Sequence, residues 1–186
     1  MPIEAAIALG SNATSSAGTP SEALLSALNR LPSDSFRLTG VSRFFSTPAY
    51  PPGSGPDYVN AAALVQTTLA ASDLLAHLHA VEAGLGRERR IRWAQRSIDL
   101  DLLWYGDSVL PDRATFHHWH GLAADRQAHE APDCLVLPHP RLQDRAFVLI
   151  PLAEIASGWR HPVLGVTVRD MVAALPAAEK QAISAI

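Results

Sequence analysis

Two aspartates, Asp99 and Asp101, stand one leucine apart in the apolar run RSIDLDLLWYGD at positions 96–107. Side chains alternate between the faces of a β-strand, so both carboxylates share one face, about 7 Å apart along the backbone. The opposite face then carries Ile98, Leu100, Leu102 and Trp104. Two carboxylates placed this way can converge on a divalent cation such as Mg²⁺. Taken alone, the pattern leaves open an ordinary solvated sheet face.

Five arginines and Trp93 lie just before the paired aspartates. Guanidinium groups are suited to phosphate recognition, and a polyphosphate held between arginines and carboxylate-bound Mg²⁺ is a recurring arrangement in phosphoryl transfer. A solvated basic loop that pairs with Glu82 and Glu88 is the alternative. A large aromatic residue in this polar segment favours a loop that closes over a ligand. The arginines are Arg87, Arg89, Arg90, Arg92 and Arg96.

The other half of the candidate site follows the proline-rich segment at 48–56. Tyr58 and Asn60 are two residues apart at the start of a predicted strand, so they share a face. An aromatic plane beside an amide suits a planar heterocycle that carries hydrogen-bond donors and acceptors. The alternative is a core tyrosine and an asparagine at the strand edge.

Other reactive residues carry weaker signals. The HHxH run at 117–120 could bind a transition metal, but the pattern favours a solvated role, and His139 is interpreted as structural. Cys134 is the only cysteine, which excludes an internal disulfide and favours a structural role over a nucleophilic one. A P-loop is excluded because the only lysine is Lys180 and the motif is absent.

Composition limits the class of protein. The 186 residues carry a formal net charge of -3 and are 48% hydrophobic, which predicts one domain over 1–186 with a substantial core. This charge argues against broad binding to nucleic acid or to a membrane surface. The sequence has neither a signal-peptide pattern nor an apolar stretch long enough to span a membrane, so we expect a cytoplasmic protein.

The order of predicted elements is β-α-β-β-α-β, the ferredoxin-like α+β pattern, with helices on one face of the sheet and C-terminal additions. A polar, irregular insertion at about 107–133 follows. The predicted strands are 3–10, 35–47, 57–67 and 97–105. The predicted helices run from Pro20, after Thr19 as N-cap and up to Pro32, and from Ser72 as N-cap to about Leu85. A helix or turn at 145–156, a strand at 161–168 and a helix at 167–175 complete the chain.

Four motifs occur in the order typical of one enzyme family. They are ALGSN from Ala8, STP…PDYVNAA from Ser46, VEAGLGRER…RW…RSIDLDLLWYGD from Val81 and LPHPRLQDRAFVLIPLAEIA from Leu137. With them, the chain resembles the 6-hydroxymethyl-7,8-dihydropterin pyrophosphokinases of folate biosynthesis. The resemblance extends over nearly the whole chain apart from 106–134.

The resemblance implies a monomer of ferredoxin-like fold that binds ATP and 6-hydroxymethyl-7,8-dihydropterin. It implies transfer of pyrophosphate from MgATP to the hydroxymethyl oxygen, giving AMP and the pterin diphosphate. Asp99 and Asp101 would hold two Mg²⁺ ions and act in catalysis with Arg87 and Arg96. The pterin residues would be Thr47, Pro48, Tyr58, Asn60 and Phe147. The ATP residues would be Glu82, Arg87, Arg89, Arg90, Arg92, Trp93, Arg96, Ile98, His139 and Arg145.

The sequence departs from the family pattern at three places. Ala94-Gln95 replaces the Gly-Pro that usually follows the tryptophan, which changes the flexibility of the arginine-rich loop. Pro140 stands where an aromatic residue often follows the histidine, and Tyr50 could compensate. The insertion at 107–133 has no counterpart to assign. Two other classes stay open: a different Mg²⁺-dependent nucleotidyl transferase, and a ferredoxin-like binding module for RNA or metabolites.

Overall fold

The computed structural model describes residues 1–49, 55–86, 97–123, 126 and 129–186. Its strands are β1 (Ile3–Ser11), β2 (Phe36–Val41), β3 (Phe45–Thr47), β4 (Tyr58–Thr67), β5 (Asp99–Tyr105) and β6 (Ser184–Ala185). Its α-helices are α1 (Pro20–Arg30), α2 (Ala71–Gly84), α3 (Arg113–His120), α4 (Ala146–Ala156), α5 (Val168–Ala174) and α6 (Ala177–Gln181). A short 3₁₀ turn covers Leu142–Asp144.

All strand pairs of the sheet are antiparallel. β1 lies between β5 and β4; β4 also pairs with both β2 and β3, and β6 extends the β3 edge. The single strand predicted at 35–47 is two strands, because the chain leaves the strand conformation at Ser42. Its hydroxyl accepts a hydrogen bond from the backbone N–H of Ala62 at 2.9 Å, and one extra residue separates the registers of β2 and β3 on β4.

Helices cover both faces of the sheet. The first core cluster lies between the sheet and α1 and α2, and contains Ile7, Leu9, Leu24, Leu74 and Leu100 among others. The second core cluster lies under α4 and α5, and contains Ala6, Ala62, Leu149, Leu152 and Met171 among others. The C-terminal additions therefore form a second helical layer.

The predicted starts of α1 and α5 are confirmed, and the predicted start of α2 is wrong. Thr19 caps α1 through a capping box with Glu22, as predicted, and Thr167 with Asp170 does the same for α5. The predicted cap Ser72 is wrong: α2 begins at Ala71 and has no side-chain cap. Ser72 lies one residue inside the helix, where its hydroxyl cannot take the N-cap position.

A β-bulge in β5 breaks the predicted alternation of its side chains. Ala6 pairs with Trp104 but Ile7 pairs with Leu102, so Leu103 is an extra residue. Trp104 therefore joins the second core cluster, and its predicted orientation is wrong. There it stacks on Trp159, with ring centroids 4.0 Å apart.

Two further local predictions were wrong. The region after β5 was expected to be irregular, but it contains α3, which Asp112 caps by accepting from the N–H of Thr115 at 2.8 Å. Phe116 is the apolar anchor of α3 and is fully buried. The strand predicted at 161–168 is reduced to a turn closed by an isolated bridge between Arg160 and Thr167. In the described part of the chain, no helix is both long and apolar enough to cross a bilayer.

His161 should make the stability of this layer depend on pH. Its side chain is fully buried, and burial, with a smaller contribution from His120, lowers the pKa of His161 to about 4. The unfolded chain takes up this proton near pH 6.5, so the neutral histidine stabilises the fold above that pH, and the contribution is lost as pH falls from 6.5 towards 4. We expect this residue alone to lower the free energy of unfolding by about 2.5 kcal/mol between pH 7 and pH 4.5.

Urea denaturation of the wild type and His161→Asn at both pH values measures this contribution. Nδ1 of His161 accepts from the N–H groups of Val163 and Leu164 at 3.1 and 3.2 Å. Asparagine keeps an acceptor there but does not titrate. His139 titrates in both proteins, so its effect cancels in the difference. Equal losses of stability in both proteins would exclude His161 as the source.

Candidate active site

Residues predicted for the two halves of the candidate site lie on one face of the sheet. Across the strands, Asp99 of β5 lies opposite Gly10 of β1, and Gly10 lies opposite Asn60 of β4. Paired residues point to the same face, and two strand spacings place Asp99 and Asn60 about 10 Å apart at the backbone. Asp101 lies opposite Ala8 on the same face, so β1 forms a floor of small residues between the two halves.

Asn60 is held in one orientation over this floor. It is 5% exposed, and its Nδ2 donates to Oγ1 of Thr47 at 2.7 Å. Its Oδ1 lies so close to β1 that a Cβ added at Gly10 would be 2.8 Å away, closer than such contacts occur in proteins. The missing side chain at Gly10 is therefore what makes room for the Asn60 amide. Sequence reasoning assigned no role to Gly10, although a glycine inside a strand signals such a close approach.

The other predicted pterin residues lie on β3, on β4 and at the start of α4. Thr47 lies opposite Tyr58 in the β3–β4 pair, and Thr47 is buried while Tyr58 is half-buried. Pro48 is exposed directly after β3. Phe147 lies in the first turn of α4 with 40% of its surface exposed, which is unusual for a phenylalanine and leaves its ring open to a ligand.

Arg145 connects Asp101 with the start of α4. Its Nη1 lies 3.4 Å from Oδ2 of Asp101, and its Cζ lies 5.8 Å from the ring centroid of Phe147. The Arg145 and Asp101 side chains are 30% and 39% exposed. A long, solvated ion pair of this kind contributes little to stability. Both side chains are exposed enough for a ligand to reach them.

His139 is held as a neutral hydrogen-bond donor. Its backbone N–H donates to the carbonyl of Leu103 at 2.7 Å, and its Nδ1 accepts from the N–H of Arg141 at 3.1 Å. The ring hydrogen must then be on Nε2. Burial, reinforced by the charges of Arg145 and Arg141, lowers the pKa of His139 to about 3, while the charge of Asp99 opposes the shift. Near neutral pH the ring is uncharged.

Residues 6–157 match the family model of 7,8-dihydro-6-hydroxymethylpterin-pyrophosphokinase (HPPK). The chain belongs to this family. It is 36% identical over 170 residues to the 2-amino-4-hydroxy-6-hydroxymethyldihydropteridine pyrophosphokinase of Pseudomonas aeruginosa, which covers 91% of this chain and 90% of that protein. It is 38% identical over 117 residues to the protein of the same name from Synechocystis sp. This match covers 63% of this chain and 50% of that protein.

Solved structures show the same fold at low identity. The wild-type HPPK-DHPS of Plasmodium falciparum is similar with a TM-score of 0.63 and 14% sequence identity. The similarity covers 93% of this chain and 44% of that one. The chain thus spans less than half of that protein and half of the Synechocystis relative, but most of the Pseudomonas one.

Glu82 has a clear contact in this HPPK fold. It is 1% exposed, and its Oε1 accepts from the backbone N–H of Leu100 at 2.7 Å. This bond fixes α2 to β5 between the two aspartates. The start of β5 is held further by Ser11, whose hydroxyl donates to the carbonyl of Ser97 at 2.7 Å. Ile98, predicted at the nucleotide, is fully buried in the first core cluster.

The arginine-rich loop lies outside the described residues. The predictions for Arg87, Arg89, Arg90, Arg92, Trp93 and Arg96 therefore stay predictions, as do those for Tyr50 and Ala94-Gln95.

The donor set fits magnesium better than a transition metal. Asp99 and Asp101 offer two carboxylates on one face, and Mg²⁺ takes one or two carboxylates and completes its shell with water and phosphate oxygens. Within the described ranges, no group of three or more His, Cys, Asp or Glu side chains is placed to hold a metal ion. His117 and His118 are exposed, and His120 instead contacts Phe116 and Gln143.

Proposed function

We propose that this chain is an ATP-dependent pyrophosphokinase of folate biosynthesis. It transfers the pyrophosphoryl group of ATP to the hydroxymethyl oxygen of 6-hydroxymethyl-7,8-dihydropterin and releases AMP. The family match and the names of the relatives support this reaction. At the site itself, the observation that supports it is that the paired aspartates and the Thr47–Asn60 pair share a sheet face, with the small residues Gly10 and Ala8 of β1 between them.

The pterin is proposed to bind over β3 and β4. Asn60 forms hydrogen bonds with the polar edge of the ring. Its amide is buried and oriented by Thr47, and it can make further hydrogen bonds beyond the one to Thr47. Tyr58 and the exposed ring of Phe147 enclose the ring plane, and Pro48 closes the side. Aromatic side chains suit this role because they offer a large apolar surface with few rotatable bonds.

The phosphates are proposed to bind over β5 and the start of α4. Asp99 and Asp101 hold Mg²⁺, two ions in our proposal, and bound magnesium neutralises the phosphate oxygens and makes the phosphorus a better electrophile. Arg145 exchanges its weak contact with Asp101 for a phosphate oxygen, and neutral His139 donates from Nε2. Glu82 positions β5, and the arginine-rich loop completes the ATP site with Arg87, Arg89, Arg90, Arg92, Trp93 and Arg96. Ile98 is proposed to contribute through its backbone, because its side chain is buried in the first core cluster.

The protein is proposed to align the two substrates. Asp99 lies across Gly10 from Asn60, while Asp101 lies two residues further along β5, so Asp99 is the carboxylate nearer to the hydroxymethyl group. Holding the hydroxyl and the β-phosphorus in line converts an encounter of two substrates into a reaction within one complex. No covalent enzyme intermediate is needed. Arg87 and Arg96 are proposed to offset the charge that develops on the transferred group.

We further propose that residues 1–186 form a single domain of ferredoxin-like topology that acts as a cytoplasmic monomer. The strand order β5-β1-β4 with β2 and β3 on the far edge supports the topology, because it places β1 and β4 in the centre. The second helical layer, α4 and α5, is then an addition to that core.

The products of the reaction test the proposed function. We expect the protein with ATP, Mg²⁺ and 6-hydroxymethyl-7,8-dihydropterin to form AMP and the pterin diphosphate in equal amounts, measured by anion-exchange chromatography. Removal of Mg²⁺ with EDTA should stop both products. Release of free pyrophosphate would instead identify a nucleotidyl transferase, and ATP binding without turnover would leave a binding module.

A further inference from the structure

The helix α3 of the insertion contacts the segment that carries His139 and Arg145. The 3₁₀ turn Leu142–Asp144 lies between these two residues, and Gln143 is at its centre. Nε2 of Gln143 lies 3.0 Å from Nδ1 of His120, the last residue of α3. Among the described residues, this side-chain contact links the insertion to the turn.

The chemistry of the neighbours fixes the direction of this hydrogen bond. Nε2 of Gln143 also lies 3.1 Å from the carbonyl oxygen of Pro140 and 2.9 Å from Oδ2 of Asp144. An amide nitrogen only donates, so His120 accepts at Nδ1, and the two amide hydrogens are shared among the three acceptors. The Gln143 amide therefore hydrogen-bonds both to its own turn and to α3.

His120 is itself held in place. Its ring stacks on Phe116 with centroids 5.5 Å apart and 15° between the planes, and Phe116 is fully buried. At the other end of α3, Nη2 of Arg113 donates to the carbonyl of Pro162 at 3.2 Å. The helix is thus attached at both ends and can act as a fixed support.

We propose that His120 is a positioning residue for the nucleotide site: through Gln143 it holds the turn that sets His139 and Arg145 relative to Asp99 and Asp101. The insertion then affects the ATP half of the site and not the Thr47–Asn60 pair. This role rests on the proposed function of His139 and Arg145. Because this support acts through one hydrogen bond to the nucleotide half of the site, we expect its loss to weaken the binding of ATP and not of the pterin.

Steady-state kinetics of His120→Ala test this role. We expect the KM for ATP to rise about three- to ten-fold, the range that a lost hydrogen bond of this kind costs. The KM for the pterin should stay within about two-fold, because Asn60 and Thr47 are held by other contacts. His120→Asn keeps an acceptor near the position of Nδ1 and should restore most of the affinity for ATP.

His118→Ala is the matched control, since His118 lies on the same helix but is exposed. It should leave both KM values unchanged, and the melting temperatures of all variants should be recorded. Equal rises in both KM values, or a lower melting temperature with no kinetic change, would overturn the proposal and leave α3 a purely structural element. A wild type without AMP release would instead reject the proposed function, so the two failures are distinguishable.

Discussion

Asp101→Ala is expected to lower kcat for pyrophosphoryl transfer by about 10³-fold or more while the protein stays folded. The charge stabilisation that a bound metal ion supplies is worth several kcal/mol, and about 1.4 kcal/mol corresponds to a factor of ten in rate. The folded state should tolerate the change, because the Asp101 side chain is 39% exposed and its contact with Arg145 is 3.4 Å long. AMP release measures the rate, and circular dichroism measures the fold.

Asp107→Ala is the matched control, since Asp107 is exposed just beyond the end of β5. It should keep wild-type turnover. Activity of Asp101→Ala within about tenfold of the wild type would exclude the carboxylate as a metal ligand, because loss of a metal's charge stabilisation costs more than this. Raising the Mg²⁺ concentration in the assay separates weakened metal binding from a change in the chemical step.

Some of this site could be predicted from the sequence because it depends on periodicity. Alternation along a strand places Asp99 and Asp101 on one face, as does the spacing of Tyr58 and Asn60, and both pairs lie in strands as predicted. The capping boxes of α1 and α5 are equally local, since a threonine and an acidic residue three positions later determine them. Such features need no knowledge of the rest of the fold.

The features that were missed depend on contacts across the fold. The bulge at Leu103 and the one-residue offset between β2 and β3 each shift a strand register, and neither was predicted from the sequence. Helix α3 was missed because Phe116 is its one fully buried residue, and Phe116 packs against His161, 45 residues later. The resemblance placed Glu82 near the nucleotide, and in the structure its Oε1 accepts from the backbone N–H of Leu100 in β5.

Gly10 matters for the same non-local reason, and Gly10→Ala should have the second large effect. The new Cβ would lie 2.8 Å from Oδ1 of Asn60. Asn60 cannot retreat without straining its 2.7 Å bond to Thr47 inside a buried wall. We expect the KM for the pterin to rise about tenfold or more and the free energy of unfolding to fall by about 1–3 kcal/mol, as for other overpacked sites.

The KM for ATP should change much less, because among the described residues the added Cβ would meet only Asn60 within 4 Å and not Asp99, and Asp101 lies opposite Ala8. Gly40→Ala is the matched control within the same sheet: a Cβ there would meet its nearest atom, Cβ of Leu64, at an ordinary 3.8 Å. Initial rates at varied pterin and ATP concentrations give both KM values. If Gly10→Ala bound the pterin as tightly as Gly40→Ala does, the Asn60 amide could not be the group that reads the pterin edge, since its displacement would then have no consequence for binding.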